Sequence, residues 1–284
     1  MIKNKLLLFV LIAITILVLK FLIHFVLYDE IIEDLPTKSS LKNDGYVKFQ
    51  NILSEKEIEY LRNLCEEDKY KEVKHYLMFN KKLIKYIKKH CSDQHEFQDY
   101  IFIIKKSAIH TCHRDSNGDF FNENQKHPSY TLLIFLEDME KCLGVIPKSH
   151  FDLNSFNVNM EDHVVNLLCN KGDAILFNAN LIHVGALNSK DDNLRIQMKV
   201  THKDDIPTIS FYNNYNKILD ENNNLPFFLR KAQRKLSCMF PIISNYTQGD
   251  IQRTAQGGEI SISEKIFSYL FYGNSNFYKL PDAF

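Results

Sequence analysis

Three residues of this 284-residue chain have the types and spacing to hold a metal ion. His113 and Asp115 stand two apart in His110-Thr111-Cys112-His113-Arg114-Asp115. On an extended strand, residues i and i+2 face the same side, so an imidazole and a carboxylate are presented together. His183 follows the apolar pair Leu181-Ile182 at a strand end. Two histidines and one carboxylate make a facial triad that suits Fe(II) and leaves positions open for a co-substrate and oxygen. The pattern H-x-D alone carries little, because a chain with 11 His produces it by chance, and His202-Lys203-Asp204 repeats it. No histidine follows that second copy, so a triad in this order cannot begin there. His113-Arg114-Asp115 also has the form of a kinase catalytic loop. That reading fails, because Phe120 stands where the loop needs Asn and no Gly-rich loop or D-F-G is present.

Twelve residues after His183, Arg195 lies in the next apolar strand. A guanidinium there can clamp a carboxylate with two parallel hydrogen bonds. A metal triad with one carboxylate clamp is what 2-oxoglutarate requires, chelated at its keto acid and anchored at its far end. Tyr130 and Lys106, on neighbouring strands, are expected within reach of the same keto acid. His110 and Cys112 alternate to the face opposite or away from His113, so Cys112 reads as a small buried hydrophobe. His150 is expected to shape a turn beside the site. Asn117, Asp119 and Asn122 form a polar loop that either lines the substrate entrance or is simply solvated.

The elements that must position these residues are short strands. Val47 to Phe49, Tyr100–Ile104, Tyr130–Leu136, Val164–Leu168, Ala174–Phe177 and Leu194–Val200 are apolar or alternating runs separated by turns. Such a series suggests an all-β barrel or jelly roll. Ahead of them, Ser54 and Glu57 form a capping box for an amphipathic helix over 55–67. Asn80 precedes a second helical pattern with Leu83, Ile84 and Ile87 on one face and lysines on the other. Residues 206–284 are rich in Asn, Tyr and Phe, with a basic apolar segment at Phe227–Leu236, and show no clear topology.

The amino-terminal segment is of another kind. Leu6 to Tyr28 is 23 residues with one Lys and one His. As a helix it is about 34 Å long, enough to cross the hydrocarbon core of a membrane. A cleaved signal peptide is the alternative, but no A-x-A-like site precedes Asp29. Lys3 and Lys5 before the span, and Asp29, Glu30, Glu33 and Asp34 after it, predict a cytoplasmic amino terminus. The bulk of the chain is then lumenal or extracellular, where the sequon at Asn245 is usable and some of the six cysteines can pair. Lys+Arg and Asp+Glu are equal at 35 each and no long basic run appears, which argues against nucleic-acid binding.

Four segments together resemble the phytanoyl-CoA dioxygenase-type Fe(II)/2-oxoglutarate oxygenases. Asp44-Gly45-Tyr46-Val47 with Leu53-Ser54 and Glu57 resembles the family's opening strand and helix. His113 and Asp115 match its first iron pair, and Leu143 to His150 resembles its G-x-L-x-x-x-P-G-S-H turn. Lys171-Gly172-Asp173 through His183 and Arg195 matches its distal ligand and co-substrate arginine. Lys148 departs from the pattern by replacing the usual glycine, and Gly144 is displaced by one position. The resemblance implies a mainly β, double-stranded β-helix (jelly-roll, cupin-like) with flanking N-terminal helices, here preceded by one transmembrane helix. It implies Fe(II), 2-oxoglutarate and O2 as cofactors and co-substrates, with hydroxylation favoured because the carboxylate ligand Asp115 is present. The expected plan is an anchor over 1–28, a stalk over 29–43, an oxygenase domain over 44–205 and a C-terminal extension over 206–284 on the same domain. A membrane anchor favours a lipid or protein substrate over a free metabolite. The rival expectation is a catalytically inactive jelly-roll module that binds a ligand at a membrane.

Overall fold

The computed structural model describes residues 2–27, 31–32, 39–106, 112–139, 141–153, 164–185, 192–239, 262–275 and 280–284. His110 and the Asn245 sequon lie outside them.

Period-two alternation builds the main sheet. Its strand order is β11 (Tyr215–Leu219), β4 (Tyr100–Lys106), β10 (Asp192–His202), β5 (Tyr130–Phe135), β8 (Ala174–Asn178) and β2 (Tyr46–Phe49), with β3 (His95–Phe97) also paired to β10. On one face Ile101, Ile103, Leu132, Ile134, Leu176, Ile196 and Met198 pack against the helices α2 (Glu55–Glu66), α3 (Tyr70–Met78) and α4 (Lys81–His90). The other face turns inward. There Leu133, Phe135, Ile175 and Phe177 meet Leu143, Val145 and Leu167 of a second sheet. That sheet runs β1 (Ile31–Ile32), β7 (Val165–Leu167), β6 (Leu143–Val145) and β9 (His183–Gly185). Two sheets face to face, the larger one covered by helices on its other side, give the mainly β, jelly-roll arrangement expected.

The helical layer follows its capping signals. Ser54 accepts from the Glu57 N–H and Glu57 accepts from the Ser54 N–H, closing the capping box of α2. The Asn80 side chain accepts from Lys82 and Leu83 at the start of α4. The helix α3 follows Lys69, which makes no side-chain cap, so no local signal in the sequence announces it.

Two boundaries differ from expectation. Ile31 and Ile32, placed in a stalk, pair in parallel with Val165 and Asn166, and Leu41 is buried in the helix-side core. An open sheet edge takes up the backbone of 31–32, and burial of an apolar side chain draws Leu41 into the core. In the C-terminal extension, β11 is a parallel neighbour of β4 from Tyr215↔Tyr100 to Leu219↔Ile104. The segment after 205 therefore completes the main sheet. The basic apolar segment forms α5 (Phe227–Met239), and α6 spans Ile262–Tyr272. At the other end of the chain, α1 (Ile2–Leu27) is apolar and long enough to cross a membrane.

Candidate metal centre

Backbone pairing brings the three proposed ligands together. His113 forms an antiparallel bridge with His183, each N–H donating to the other's carbonyl at 2.9 Å. The Asp115 N–H donates to the Ala179 carbonyl at 2.8 Å, so 113–115 runs beside the 179–183 connection that leads into β9 and delivers His183. The imidazoles then converge on one carboxylate oxygen. Asp115 Oδ1 is 3.8 Å from His113 Nε2 and 3.6 Å from His183 Nε2. His183 Nδ1 is 2.9 Å from the Leu181 carbonyl, which fixes the proton on Nδ1 and leaves the Nε2 lone pair facing Asp115. Burial, then the neighbouring His113, brings the His183 pKa down to about 4, so the ring is neutral at physiological pH and able to ligate.

The second oxygen of Asp115 is held from the opposite side. Oδ2 accepts from Lys199 Nζ at 2.7 Å and from Thr131 Oγ1, and Lys199 Nζ also reaches Thr131 Oγ1 at 2.9 Å. Burial alone would raise the Asp115 carboxyl, but Lys199 and the two imidazoles outweigh it and hold it well below the usual carboxylate range. Burial lowers Lys199, which is opposed by Asp115. The ammonium lies 5.6 Å from the Tyr100 ring and 5.5 Å from the Tyr212 ring. Tyr100 stacks on Tyr215 at 4.5 Å, with Tyr212 edge-on. Burial raises all three phenols, so they are neutral.

The triad lines a cavity of about 150 Å³ together with Phe102, Leu133, Phe177, Arg195, Gln197 and Lys199. Arg195 is buried, with Nη1 donating to the Asn193 carbonyl at 3.2 Å. Arg195, Gln197 and Lys199 are successive inward positions of β10. The sequence reading stopped at Arg195. Stepping two and four residues along the same strand finds the other two.

Two expected co-substrate contacts are corrected. Tyr130 pairs with Val200 and lies against the His95 ring, centroids 5.4 Å apart and planes tilted, on the helix-facing side of β5. Its neighbour Thr131 takes the inward position. Lys106 ends β4 beyond a register shift between Asp192 and Arg195, and its Nζ is 2.9 Å from Asp220. It does not line the cavity.

The surroundings of the triad are tied down by polar groups. Arg114 is buried, donates to the carbonyls of Asn180 (2.8 Å), Ser149 (3.3 Å) and Asp152, and lies over the Phe120 ring. Asn180 accepts from the Phe120 N–H at 3.2 Å and donates to Asp119, while Asn122 donates to the Ser116 and Gly118 carbonyls at 2.7 Å. Asn117 is fully buried. The 116–122 loop is therefore bound into the fold rather than solvated. His150 sits over Gly45, where a Cβ would lie 2.6 Å from its Nδ1, so it supports the turn and leaves the cavity to others. All six cysteines are free thiols, and buried Cys112 touches Cys238 with sulfurs 2.7 Å apart.

A second cluster, His127, His202 and Asp204, also brings donor atoms within 4.8 Å of one another. Its two rings are stacked at 3.6 Å with planes 22° apart. Parallel stacked imidazoles cannot both aim in-plane lone pairs at one ion, so this cluster is set aside.

Residues 68–195 match the sequence model of the family described as Phytanoyl-CoA dioxygenase (PhyH). Over this stretch the chain is similar to a phytanoyl-CoA dioxygenase-type domain. All three ligands and Arg195 fall inside it. No curated protein matches the sequence. Among solved structures, the chain is similar to the non-heme alpha ketoglutarate dependent epimerase SnoN from nogalamycin biosynthesis, at 16% identity and TM-score 0.47, covering 57% of this chain and 78% of that one. It is similar to the carbocyclase SnoK of the same biosynthesis at 16% identity and TM-score 0.46, covering 60% and 85%. EvdO2 from Micromonospora carbonacea var. aurantiaca, complexed with 2-oxoglutarate, matches at 12% identity and TM-score 0.44, covering 61% and 92%.

The cofactor pair of the phytanoyl-CoA dioxygenase-type domain is Fe(II) with 2-oxoglutarate, and the donor set fits it. Two nitrogens and one carboxylate oxygen converge, the remaining carboxylate oxygen is already satisfied, and a buried guanidinium shares the cavity.

Proposed function

We propose that this chain is a membrane-anchored, Fe(II)- and 2-oxoglutarate-dependent dioxygenase that hydroxylates a C–H bond. The observation that carries the reading is the convergence of His113 Nε2 and His183 Nε2 on Asp115 Oδ1 inside a cavity that Arg195 also lines. Iron and 2-oxoglutarate supply the oxidising chemistry: with O2, the keto acid becomes succinate and CO2 and one oxygen atom enters the substrate.

The chain's own residues bind, orient and exclude water. His113, Asp115 and His183 would hold the metal through the atoms that already face one another. Arg195 would neutralise the far carboxylate of the keto acid. Lys199 and Thr131 keep Asp115 Oδ2 engaged, which leaves Oδ1, turned toward the two histidines, as the oxygen that would ligate the metal. Phe102, Leu133 and Phe177 make the inner wall apolar, which strengthens each charge interaction within it.

The length and apolarity of α1 support anchoring, and the charges flanking it support a cytoplasmic amino terminus with a lumenal or extracellular domain. A substrate that is itself a lipid or a membrane-route protein fits that placement.

The test is an anaerobic titration of the full chain in detergent with Fe(II) and 2-oxoglutarate. A visible metal-to-ligand charge-transfer band is expected, and His183→Ala should lose it. A folded protein with no band would overturn the oxygenase reading and leave the inactive binding module. Product analysis then separates hydroxylation from desaturation or ring formation.

A further inference from the structure

Both C-terminal helices turn apolar side chains outward. In α5 Arg234 is turned into the protein, 2% exposed, and its guanidinium donates to the Gly185 carbonyl and to Asn166 Oδ1 at 2.8 Å. Ser237 and Cys238 are buried beside it, and Ser237 Oγ accepts from the Cys112 N–H at 3.0 Å. The outward face carries Phe228 (69% exposed), Leu229 and Leu236. Lys231 is exposed along its edge. In α6 Ser268 is fully buried, whereas Ile262, Ile266, Tyr269 and Leu270, spaced as one helical stripe, are exposed at 77, 56, 63 and 58%. A helix of a water-soluble surface has the opposite arrangement, and an apolar face this continuous marks an interaction site.

These helices adjoin each other and the end of α1. Gln233 of α5 donates to the Leu270 carbonyl of α6 at 2.6 Å. On the other flank, Lys235 Nζ reaches the Val26 carbonyl at 3.3 Å and lies 5.1 Å over the Phe25 ring. Phe21 and Phe25 pack on the cluster of Cys112, Ile146, Val164, Val184 and Cys238, which α5 covers. The apolar face is thus continuous with the last turns of the apolar α1. Lysines at the rim of an aromatic and aliphatic face are the composition of a helix lying in a membrane interface, stems among the acyl chains and ammonium groups at the headgroups.

We propose that α5 and α6 form a second membrane contact, lying in the plane of the bilayer beside α1 with Phe228, Leu229, Leu236, Ile266, Tyr269 and Leu270 in the lipid. The orientation rests on the reading of α1 as a membrane span. This contact fixes the domain against the bilayer instead of leaving it on a flexible tether, because α5 is bonded directly to the strand segment that carries His113 and to β9, which carries His183.

The chain has no Trp, so single Trp reporters are unambiguous. The full chain is reconstituted in phosphatidylcholine–phosphatidylserine vesicles, with and without lipids brominated near the headgroup end of the acyl chain. Phe228→Trp and Tyr269→Trp are the reporters, two in case one misfolds. Phe79→Trp, exposed on the distant helical layer, is the negative control, and Phe9→Trp reports on α1. Emission of the first two should be blue-shifted and several-fold quenched by brominated lipid, with Phe79→Trp unchanged. Quenching of Phe9→Trp without quenching of Phe228→Trp and Tyr269→Trp would overturn the docking face while leaving the span. A protein partner or a second copy would then be the occupant. Quenching of the two reporters without Phe9→Trp would support the face and remove the span. Failure of all three would remove both.

Discussion

Lys199 Nζ and Asp115 Oδ2 form a buried ion pair at 2.7 Å on the side of the carboxylate turned away from the two histidines. The lysine is 1% and the aspartate 9% exposed at the side chain. Each oxygen of Asp115 therefore has its own set of neighbours, imidazoles on one and an ammonium with a hydroxyl on the other.

Removing the ammonium leaves a buried carboxylate under-compensated. Lys199→Met should destabilise the metal-free protein by about 3 kcal/mol. Divalent metal should restore more stability to the variant than to the wild type, because the metal then supplies the missing positive charge. Paired thermal melts with and without Fe(II), held anaerobic, read this. An equal metal-induced shift in both proteins would show that Lys199 does not communicate with the metal position.

Arg195 and Lys106 separate the two cations considered for co-substrate binding. Arg195→Gln should weaken 2-oxoglutarate by about 10- to 100-fold, the loss expected for a charge-assisted pair, while leaving Fe(II) affinity in place. Lys106→Ala should change neither, since its ammonium pairs with Asp220 outside the cavity. Co-substrate titration of the charge-transfer band compares them, and a large effect of Lys106→Ala would reverse the assignment.

Stability of the metal-free protein should depend on pH through His183. Its folded pKa is about 4, against about 6.5 for a free imidazole. Between those values the unfolded chain binds more protons than the folded one, so stability rises with pH across the window. The contribution is full above about pH 6.5 and lost as pH falls toward 4, up to about 3 kcal/mol. Burial lowers His90, His95 and His150 as well, so they act with the same sign. Denaturation of wild type and His183→Gln at pH 7.5 and pH 5 isolates the His183 share. A variant with an undiminished pH slope would assign the effect to the other histidines.

Lys148 occupies a left-handed backbone position at φ 69, in the turn whose pattern ordinarily has glycine there. A side chain there is strained, and relief outweighs the extra freedom glycine brings to the unfolded chain. Lys148→Gly should stabilise by about 0.5–1 kcal/mol, whereas Lys148→Ala, which keeps the Cβ, should not. Denaturation midpoints compare the two, and equal shifts would place the effect in the lysine side chain instead of its backbone.

Much of the centre was legible because strand alternation and chain order are local signals. His113 and Asp115 share a face by i and i+2 spacing, and His183 follows the apolar pair Leu181-Ile182. The helices announced by Ser54 and Asn80 were readable, whereas α3, which has no capping side chain, was not. What escaped needed register. Whether Tyr130 or Thr131 faces inward depends on the pairing of Val200 with Tyr130 and Lys199 with Thr131, which no single strand states. Lys106 has the inward parity of Ile104, but the register shift opposite it and the carboxylate of Asp220 take it elsewhere. The three-residue strands β6 and β9 are too short to show a period, and β11 finds β4 only through the fold.

The front of the cavity is made by parts of the chain that come late. Leu219 on β11 and Leu280 both line it, and Leu280 lies 97 residues after His183. During synthesis from the amino end, every ligand and the clamp Arg195 exist before that wall does. Until then the pocket stands open on that side. Long-range pairing of β11 with β4, between Tyr215 and Tyr100 and onward, is the step that closes it, and pairings so distant in sequence form slowly.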